Sequence, residues 1–467
     1  MANPWATLGV DLHLEPVGPG VRRGLTDALR EAVRTGRLAP GTRLPSSRVL
    51  AADLGIARNT VADAYADLVA EGWLTARQGS GTRVATRAAA TGPAPGRGTA
   101  RPVHRRAAAR PAHDLVPGTP DLAAFPRAEW LKAARRALAA VPGDALGYGD
   151  PRGRPELRSA LAGYLARARG VRADPERLLV TAGISQGLRI LGTVLRERGL
   201  RTIAVESYGL EVHWRILEAA GLRTVPLPFD GLGTETRGLT EFGAVLLTPA
   251  HQFPMGVPLH RDRRAAVVDW ARRTGGYVLE DDYDGEFRYD RQPVGALQGL
   301  DPDRVVHLGT ASKSLAPALR LGWAVLPPDL AEDAVRTKGG TDSCGLFDQL
   351  TLAEFLVSGA YDRHVRASRL RYRRRRDALV EALATRAPAV RATGIAAGLH
   401  AVLRLPPGTE ASVVQAAAWQ GLALHGLAFY RHDRSTPPPL DALVVGYGTP
   451  SDHTWPGALD ALCRVLP

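Results

Sequence analysis

Residues 307–323 read HLGTASKSLAPALRLGW, and of all stretches in this 467-residue chain they indicate the fold most strongly. The apolar run formed by Val305, Val306 and Leu308 predicts a buried strand. Lys313 follows at the mouth of that strand, among small polar residues. A lysine becomes a Schiff-base nucleophile when burial and a neighbouring cation depress its pKa. The alternative is a surface lysine in a serine-rich loop.

The residues around Lys313 predict an anion site beside the lysine. A compact loop would turn Arg320 back toward the same pocket, where a planar guanidinium binds phosphate through two hydrogen bonds. Thr310 and Ser312 offer hydroxyl groups to the same anion. The stretch therefore predicts a reactive lysine next to a phosphate-binding loop.

A second stretch, YVLEDDYDGEF at residues 277–287, predicts another strand with side chains for the same pocket. Asp281 and Tyr283 project to one face because side chains alternate along a strand. The acidic middle of this stretch also resembles a calcium-binding loop. That register places Arg291 where calcium needs a bidentate glutamate, so calcium is excluded and no metal is expected.

Residues 178–188 predict a strand followed by a glycine turn and the start of a helix. Backbone amides at such a turn form a cradle for an anion. One glycine-containing turn is weak support by itself, because many connections between a strand and a helix have this form.

Residues 44–72 predict a helix-turn-helix. A serine precedes a short helix that ends at Gly55, and a second helix over residues 58–68 is closed by Gly72. Residues 73–75 and 83–85 then predict a two-stranded wing. The structural alternative is a small helical domain that contacts protein, since winged helices serve that purpose as well.

The charge of the whole chain favours a polyanionic partner. Sixty Lys and Arg residues against 47 Asp and Glu residues give a formal net charge of +13. The two cysteines, Cys344 and Cys463, lie too far apart in sequence for a disulfide framework or a zinc motif. Residues 1–20 lack the pattern of a signal peptide, and no apolar run is long enough to span a membrane. A cytoplasmic protein is expected, associated with the nucleoid when it is bound to DNA.

The lysine stretch resembles the pyridoxal-phosphate lysine loop of the aspartate aminotransferase-like (fold type I) superfamily. Together with the helix-turn-helix it is most similar to MocR-type regulators, in which a GntR-type winged helix precedes an aminotransferase-like body. The resemblance covers roughly residues 12 to 460. It implies a multidomain chain: a winged helix-turn-helix, and an α/β body with a large mixed-sheet domain and a small α+β domain.

The resemblance also implies the domain limits. The winged helix occupies residues 12–86, and a linker rich in Arg, Ala and Pro occupies residues 87–113. The body occupies residues 114–467. Its large part spans about 150–340, and its small part spans about 345–467 together with the segment 114–149.

The resemblance assigns pyridoxal phosphate to the pocket around Lys313. Lys313 would form the Schiff base, Asp281 would keep the pyridine nitrogen protonated, and Tyr283 would hydrogen-bond the phenolic oxygen. The residues expected around the phosphate are Arg320, Thr310, Ser312, Ile184, Ser185 and Gln186.

Three further positions follow from the resemblance. Gln252 is the amide nearest the place where aminotransferases put an asparagine beside the phenolic oxygen. Tyr148 matches a tyrosine that crosses a homodimer to the partner's phosphate, although it reads equally as a packing residue. For the residue stacked on the ring, an ungapped reading gives Leu210, and a shifted loop gives Tyr208 or His213; Tyr208 is taken as the cofactor contact.

Aminotransferases usually carry an arginine just before their last strand, where it binds the substrate carboxylate. This chain has Asp441-Ala442-Leu443 at that position. Arg431 is the candidate that would bind the carboxylate in place of that arginine.

In the DNA-binding part, the resemblance assigns the contacts to Arg48, Arg58, Asn59, Thr60 and the wing tip at Gly79. The chemistry agrees, because arginine reads guanine and asparagine reads adenine through paired hydrogen bonds. A second basic stretch, residues 363–376, is interpreted as a solvated helix face.

These features predict a transcription regulator that binds a double-stranded operator. A small amine, an amino acid or the B6 vitamer, bound at the Lys313 Schiff base, would control operator binding through a shift between two conformations. The alternative is a working aminotransferase with an accessory DNA-binding domain. A scaffold with an inactive pocket conflicts with the complete set of pocket residues.

Overall fold

The computed structural model describes residues 20–77, 81–86, 111–289, 294–436 and 439–467. They belong to two compact units, one within residues 1–108 and the other within residues 109–467. Within the described ranges, no helix has the length and apolar character needed to cross a membrane.

The N-terminal unit has three helices and a hairpin, and it confirms the predicted helix-turn-helix. Its elements are α1 (Val21–Arg34), α2 (Ser47–Leu54), α3 (Arg58–Ala70), β1 (Leu74–Arg77) and β2 (Gly81–Val84). Ser46 caps α2 by accepting a hydrogen bond from the Val49 amide, and Gly55, at a φ of 66°, ends it. β1 and β2 pair in antiparallel register as the predicted wing.

The core of this unit is built from the apolar positions that recur at helical spacing. Its fully buried members include Leu25, Leu29, Val61 and Leu68. Because α1 and α3 share these contacts, the start of α3 is held on a rigid base.

The C-terminal unit contains the remaining strands and helices. The strands are β3 (His113–Asp114), β4 (Leu178–Thr181), β5 (Thr202–Glu206), β6 (Arg223–Leu227), β7 (Phe229–Asp230), β8 (Gly233–Thr234), β9 (Ala244–Leu247), β10 (Tyr277–Asp281), β11 (Val305–Thr310), β12 (Gly322–Val325), β13 (Arg391–Thr393), β14 (Ala401–Arg404), β15 (Leu422–Ala423), β16 (His425–Gly426) and β17 (Ala442–Val445). The helices are α4 (Arg127–Ala140), α5 (Pro155–Arg169), α6 (Ile184–Glu197), α7 (Glu211–Ala219), α8 (Arg261–Thr274), α9 (Pro328–Lys338), α10 (Leu346–Val357), α11 (Ala360–Arg386), α12 (Glu410–Trp419) and α13 (Trp455–Val465).

The large part is a seven-stranded mixed sheet in the order β4-β12-β11-β10-β9-β5-β6. β12 runs antiparallel to its two neighbours, and the other pairs are parallel. The inner strands are continuous buried runs, as expected for a sheet covered on both faces.

The small part is an antiparallel sheet in the order β13-β14-β17-β16. β3 pairs with β15, so His113, the last residue of the predicted linker, lies in a strand of the body. The other linker residues from 87 to 110 lie outside the described residues.

This topology decides where a site can form. The strands that run parallel to one another bring Thr181, Glu206, Asp281 and Thr310 to the same edge of the large sheet. In open α/β sheets, ligands bind at this carboxyl edge.

Candidate functional site

A cavity of about 370 Å³ lies at the carboxyl edge of the large sheet. Residues from the sheet edge, from segment 117–119 and from the small part form its wall. The structure brings most of the predicted cofactor residues together here: Lys313, Asp281, Tyr283, Arg320, Thr310, Ser312, Ile184, Ser185 and Tyr208.

Lys313 lies in the turn after β11, and its side chain forms part of the cavity wall. Its Nζ donates a hydrogen bond to the Gly118 carbonyl at 2.6 Å. Burial lowers the pKa of the Lys313 amine, and Asp281 and Asp284 partly oppose this effect. A depressed pKa increases the fraction of neutral, nucleophilic amine.

Asp281 ends β10 and is buried. Burial is the main cause that raises its pKa to about 8; Lys313 opposes this, and the nearby carboxylates, among them Glu206, add to it. Its Oδ1 has no hydrogen-bond partner among the described residues. A buried carboxyl oxygen of this kind is unusual and indicates a missing polar partner.

Tyr283 reaches the cavity through a group of buried polar side chains. Its hydroxyl lies 3.1 Å from His251 Nδ1, and that nitrogen lies 2.8 Å from Asp284 Oδ2. Burial is the main cause that raises the pKa of Tyr283 well above its usual value, and Asp284 adds to it. The Tyr283 hydroxyl therefore stays protonated and can donate a hydrogen bond.

The predicted anion cradle forms where β4 meets α6. Gly183 precedes the helix at a φ of 82°, and no side chain among the described residues caps the first turn. The amides of Ile184 and Ser185 thus belong to the orphan donors of a helix N-terminus.

Arg320 completes the cradle by donating to the Ala182 carbonyl. A Cβ at Gly183 would lie 2.9 Å from Arg320 Nη2, so the guanidinium occupies the space that glycine leaves free.

Thr310 and Ser312 close the other side of the cradle. The Thr310 hydroxyl lies 2.9 Å from Ser312 Oγ and accepts a hydrogen bond from the Ser312 amide at 3.1 Å. These contacts fix the turn that leads to Lys313.

Four predicted residues lie outside the cavity lining. Gln252 donates to the Tyr208 and Phe253 carbonyls, so its amide holds its own loop, and Phe253 lines the cavity instead. Gln186 bonds the Ala182 amide and Ser343 Oγ.

The other two are Arg431 and Tyr148. Arg431 donates to the Ser435 carbonyl at 2.5 Å and to Tyr208, and it lines a separate cavity. Tyr148 is 96% exposed and therefore makes little contact within its own chain.

Several side chains with rings or apolar groups are candidates to stack on a planar ligand. Leu210, Tyr208, His213 and Trp214 all line the cavity. His213 Nδ1 lies 3.8 Å from Asp281 Oδ2, at the depth of that carboxylate. Burial lowers the pKa of His213 to about 4, with a contribution from Lys313, so its imidazole is neutral at pH 7.

Several wall residues were not predicted from the sequence. Leu399 and His400 come from the small part, and Glu206 ends β5. Glu206 could have been predicted, because it is the last residue of an apolar strand whose carboxyl end lies at the edge of the sheet where the site forms. Nothing local marked Leu399 and His400, because their position depends on how the small part folds against the large part.

The N-terminal unit carries the predicted DNA contacts. Arg48, Arg58 and Asn59 are exposed, and Thr60 is half-buried. Arg58, Asn59 and Thr60 form the first turn of α3, where helix amides favour a phosphate. Gly79 lies outside the described residues.

Comparisons with known proteins match both units. The family "Bacterial regulatory proteins, gntR family" matches residues 22–84, and "Aminotransferase class I and II" matches residues 118–427. The pyridoxine biosynthesis regulator PdxR of Corynebacterium glutamicum is 34% identical, covering 92% of each chain. The probable rhizopine catabolism regulatory protein MocR of Rhizobium meliloti is 34% identical, covering 91% of this chain and 90% of its own.

A solved structure supports the fold of the body. An archaeal alanine:glyoxylate aminotransferase superposes with a TM-score of 0.68 at 25% identity, covering 76% of this chain and 90% of its own. Aminotransferases of this class depend on pyridoxal phosphate.

The described residues fit that cofactor. The unpartnered oxygen of Asp281 suits a protonated ring nitrogen, and a cation there would stabilise the ionised carboxylate. The glycine cradle with Arg320 suits a phosphate, and Lys313 supplies a buried amine for the aldehyde. With a gntR-type helix-turn-helix and an aminotransferase-like body in one polypeptide, the chain belongs to the MocR-type transcriptional regulators, which join a gntR-family DNA-binding domain to a pyridoxal-phosphate-dependent, aminotransferase-like domain.

Proposed function

We propose that this protein is a pyridoxal-phosphate-dependent regulator whose operator affinity changes when a small amine, an amino acid or a B6 vitamer binds at Lys313. The observation that carries the proposal is the meeting of Lys313, Asp281, Tyr283 and Arg320 in one cavity of a chain that also has a helix-turn-helix. When bound to its operator, the protein is associated with the nucleoid.

When bound, pyridoxal phosphate supplies an aldehyde carbon that primary amines attack and a ring that withdraws electrons. The chain's own residues make this chemistry selective. Arg320 and the amides at the start of α6 bind the phosphate. Asp281 would keep a proton at the ring nitrogen, and Tyr283 would donate a hydrogen bond to the phenolic oxygen. Lys313 would hold the cofactor covalently through Nζ, and its free amine would act as a proton acceptor.

His213 is the residue we assign to the face of the ring. It is neutral, it lies beside Asp281, and it comes from the start of α7, next to the loop where an aromatic residue was expected. Tyr208, Leu210 and Trp214 then enclose the remaining edge.

Residues of the small part connect ligand binding to the contact between the small and large parts of the body. Leu399 and His400 line the cavity, and the His400 ring lies 3.0 Å from the Pro254 carbonyl of the large part. A ligand that displaces either residue changes the contact between the two parts. Such differential contact is what a ligand needs in order to shift a conformational equilibrium.

We also assign a homodimer to the body. Tyr148 is almost fully exposed, and Leu131, Leu138 and Leu146 of the same segment are each more than half exposed. Apolar groups at this density on one segment favour burial against a second copy. In that arrangement Tyr148 reaches the partner's cofactor phosphate.

The proposal is tested by measuring operator affinity and the visible spectrum of the same cofactor-loaded sample. Candidate amines should change the spectrum and the affinity over the same concentration range. A spectral change with constant operator affinity would contradict the regulatory proposal.

A working aminotransferase is the second candidate, and the lowered pKa of Lys313 favours it, since proton transfer needs such a base. Ala442 and Leu443, which occupy the usual carboxylate-arginine position, are buried in β17. We expect little multiple-turnover transamination. Sustained turnover at about 1 per second or faster would favour the enzyme.

A further inference from the structure

Five residues of the cavity wall are not assigned to the cofactor: Gly118, Thr119, Phe253, Leu399 and His400. We call the part of the wall that they form the ligand-facing half. What it can bind depends on which charges remain after the cofactor has taken its own partners, and the argument therefore rests on the proposed function.

Both cations of the cavity wall are committed to the cofactor. Among the lining residues that the structure describes, the lysines and arginines are Lys313 and Arg320. In the proposed function Lys313 attaches the cofactor, and burial lowers the pKa of its free amine. Arg320 lies at the phosphate cradle, where a Cβ on Gly183 would touch it.

The two histidines of the wall add no positive charge at neutral pH. Burial lowers the pKa of His400 to about 3 and that of His213 to about 4. His400 Nε2 also lies 3.0 Å from the Pro254 carbonyl, which engages that nitrogen.

Carboxyl groups, in contrast, surround the cavity. Asp281 and Glu206 are part of its wall, and Asp282 and Asp284 lie close enough to raise the pKa of Asp281. Glu206 is held in place by the hydroxyls of Thr234 at 2.8 Å and Thr248 at 2.5 Å. Burial raises the pKa of Glu206 to about 7 and that of Asp281 to about 8, and in the proposed function Asp281 is taken by the cofactor. These carboxyl groups therefore give an anionic ligand no partner.

The expected carboxylate partner is placed elsewhere. Arg431 bonds Ser435 and Tyr208 and lines a neighbouring cavity with Glu211 and Glu218. In β17, Val444 packs in an apolar cluster with Tyr208 and Phe253, next to the ligand-facing half. Hydrocarbon thus covers this wall.

We infer that the ligand of this pocket is a primary amine that carries an apolar substituent and no carboxylate or other anionic group. Its apolar substituent would pack on Phe253 and Leu399, which line the cavity. The α-carboxylate of an amino acid would lose its hydration without gaining a cationic partner among the described lining residues, which is costly in a buried site.

The experiment uses pairs of probes that differ only in the carboxylate: 2-phenylethylamine with L-phenylalanine, and isobutylamine with L-valine. Each is titrated into the cofactor-loaded full-length chain, and the visible spectrum gives the apparent affinity. The same titrations with free pyridoxal phosphate correct for intrinsic reactivity. After correction, the amine of each pair should bind at least ten-fold more tightly. Equal binding, or tighter binding of the amino acid, would overturn the inference.

A charge placed at the mouth of the pocket provides a second measurement. Thr119 is half-buried and lines the cavity. Thr119→Arg should reduce the preference for the amine several-fold, whereas the neutral control Thr119→Gln should leave it unchanged. The same preference in both variants and the wild type would show that charge does not set the selectivity, and would overturn the inference.

Operator affinity, measured in the same samples, separates this inference from the proposed function. If amines bind selectively and operator affinity stays constant, the ligand class stands and the regulatory proposal fails. If no probe changes the spectrum while pyridoxal phosphate alone changes operator affinity, the effector is the cofactor itself and the inference is overturned.

Discussion

Lys313 is chemically distinct from a surface lysine because the protein removes water from its amine while leaving it one hydrogen bond. Burial lowers its pKa, and the Gly118 carbonyl fixes the position of Nζ. Lys313→Ala should therefore abolish covalent trapping of pyridoxal phosphate by borohydride, measured as the mass increase of the intact chain. The exposed Lys132, changed to Ala, is the control and should label like the wild type. Equal labelling of the Lys313 variant would place the attachment elsewhere.

Glu286 is a buried carboxyl that the cofactor pocket does not use. Burial raises its pKa from 4.5 to about 7, and the phenols of Tyr164 and Tyr361 lie 3.4 Å and 3.3 Å from its Oε1. Since the pKa is higher in the folded chain, the stabilisation is fully present below pH 4.5 and is lost as the pH rises through about 7.

Glu286→Gln should therefore flatten the pH dependence of stability. The fall in the free energy of unfolding between pH 5 and pH 8 should shrink by up to about 3 kcal/mol, as measured by urea unfolding. The exposed Glu197, changed to Gln, serves as the control. An unchanged slope in the Glu286 variant would mean that this carboxyl is ionised throughout the range.

At the scale of elements, the connection between β4 and α6 depends on one glycine. Gly183 has a φ of 82°, and a Cβ there would approach Arg320 Nη2 to 2.9 Å. Gly183→Ala should therefore weaken cofactor binding at least ten-fold, about 1.4 kcal/mol, in a fluorescence titration. Gly199→Ala is the matched control, because Gly199 has a φ of 94° and open space around its Cα. Equal cofactor affinity of the two variants would show that the turn at Gly183 does not contribute to phosphate binding.

Helix α3 presents its first turn to solvent, with Arg58 exposed. If Arg58 reads a base through two hydrogen bonds, Arg58→Ala should cost about 1–3 kcal/mol of operator binding and relax sequence preference at one position. Arg23→Ala, an exposed change in α1, should have a much smaller effect. Affinities need measurement at several salt concentrations, because each phosphate contact steepens the log–log dependence by about 0.9. Unchanged operator affinity and sequence preference would show that Arg58 in α3 does not read the operator.

The positions of the strands and loops also explain which site residues could be predicted from the sequence alone. Asp281, Thr310 and Lys313 were predictable because buried strands are apolar runs, and the carboxyl ends of parallel strands share one edge. Gln252 does not line the cavity, because a loop around proline does not fix which side chain turns inward; Phe253 lines it instead. Leu399 was missed because it reaches the cavity only through tertiary packing of the small part.

At the scale of the whole molecule, the position of Tyr148 has a consequence for assembly. A tyrosine that is 96% exposed, on a segment with exposed leucines, loses much water-accessible surface only if another chain covers it. If a homodimer forms this way, each cofactor is bound by Lys313 of one chain and by Tyr148 of the other.

Mixed dimers test this sharing of sites. A chain with Lys313→Ala and a chain with Tyr148→Phe are refolded together, and heterodimers are isolated by two different affinity tags. One of the two sites then combines the intact Lys313 of the Tyr148→Phe chain with the intact Tyr148 of its partner. That site should bind pyridoxal phosphate with wild-type affinity, at half the wild-type stoichiometry, whereas each homodimer should bind it weakly or without a covalent bond. Heterodimers without a wild-type site would contradict the shared arrangement, and Tyr148→Phe homodimers of full affinity would show that the phenol hydroxyl does not contact the phosphate.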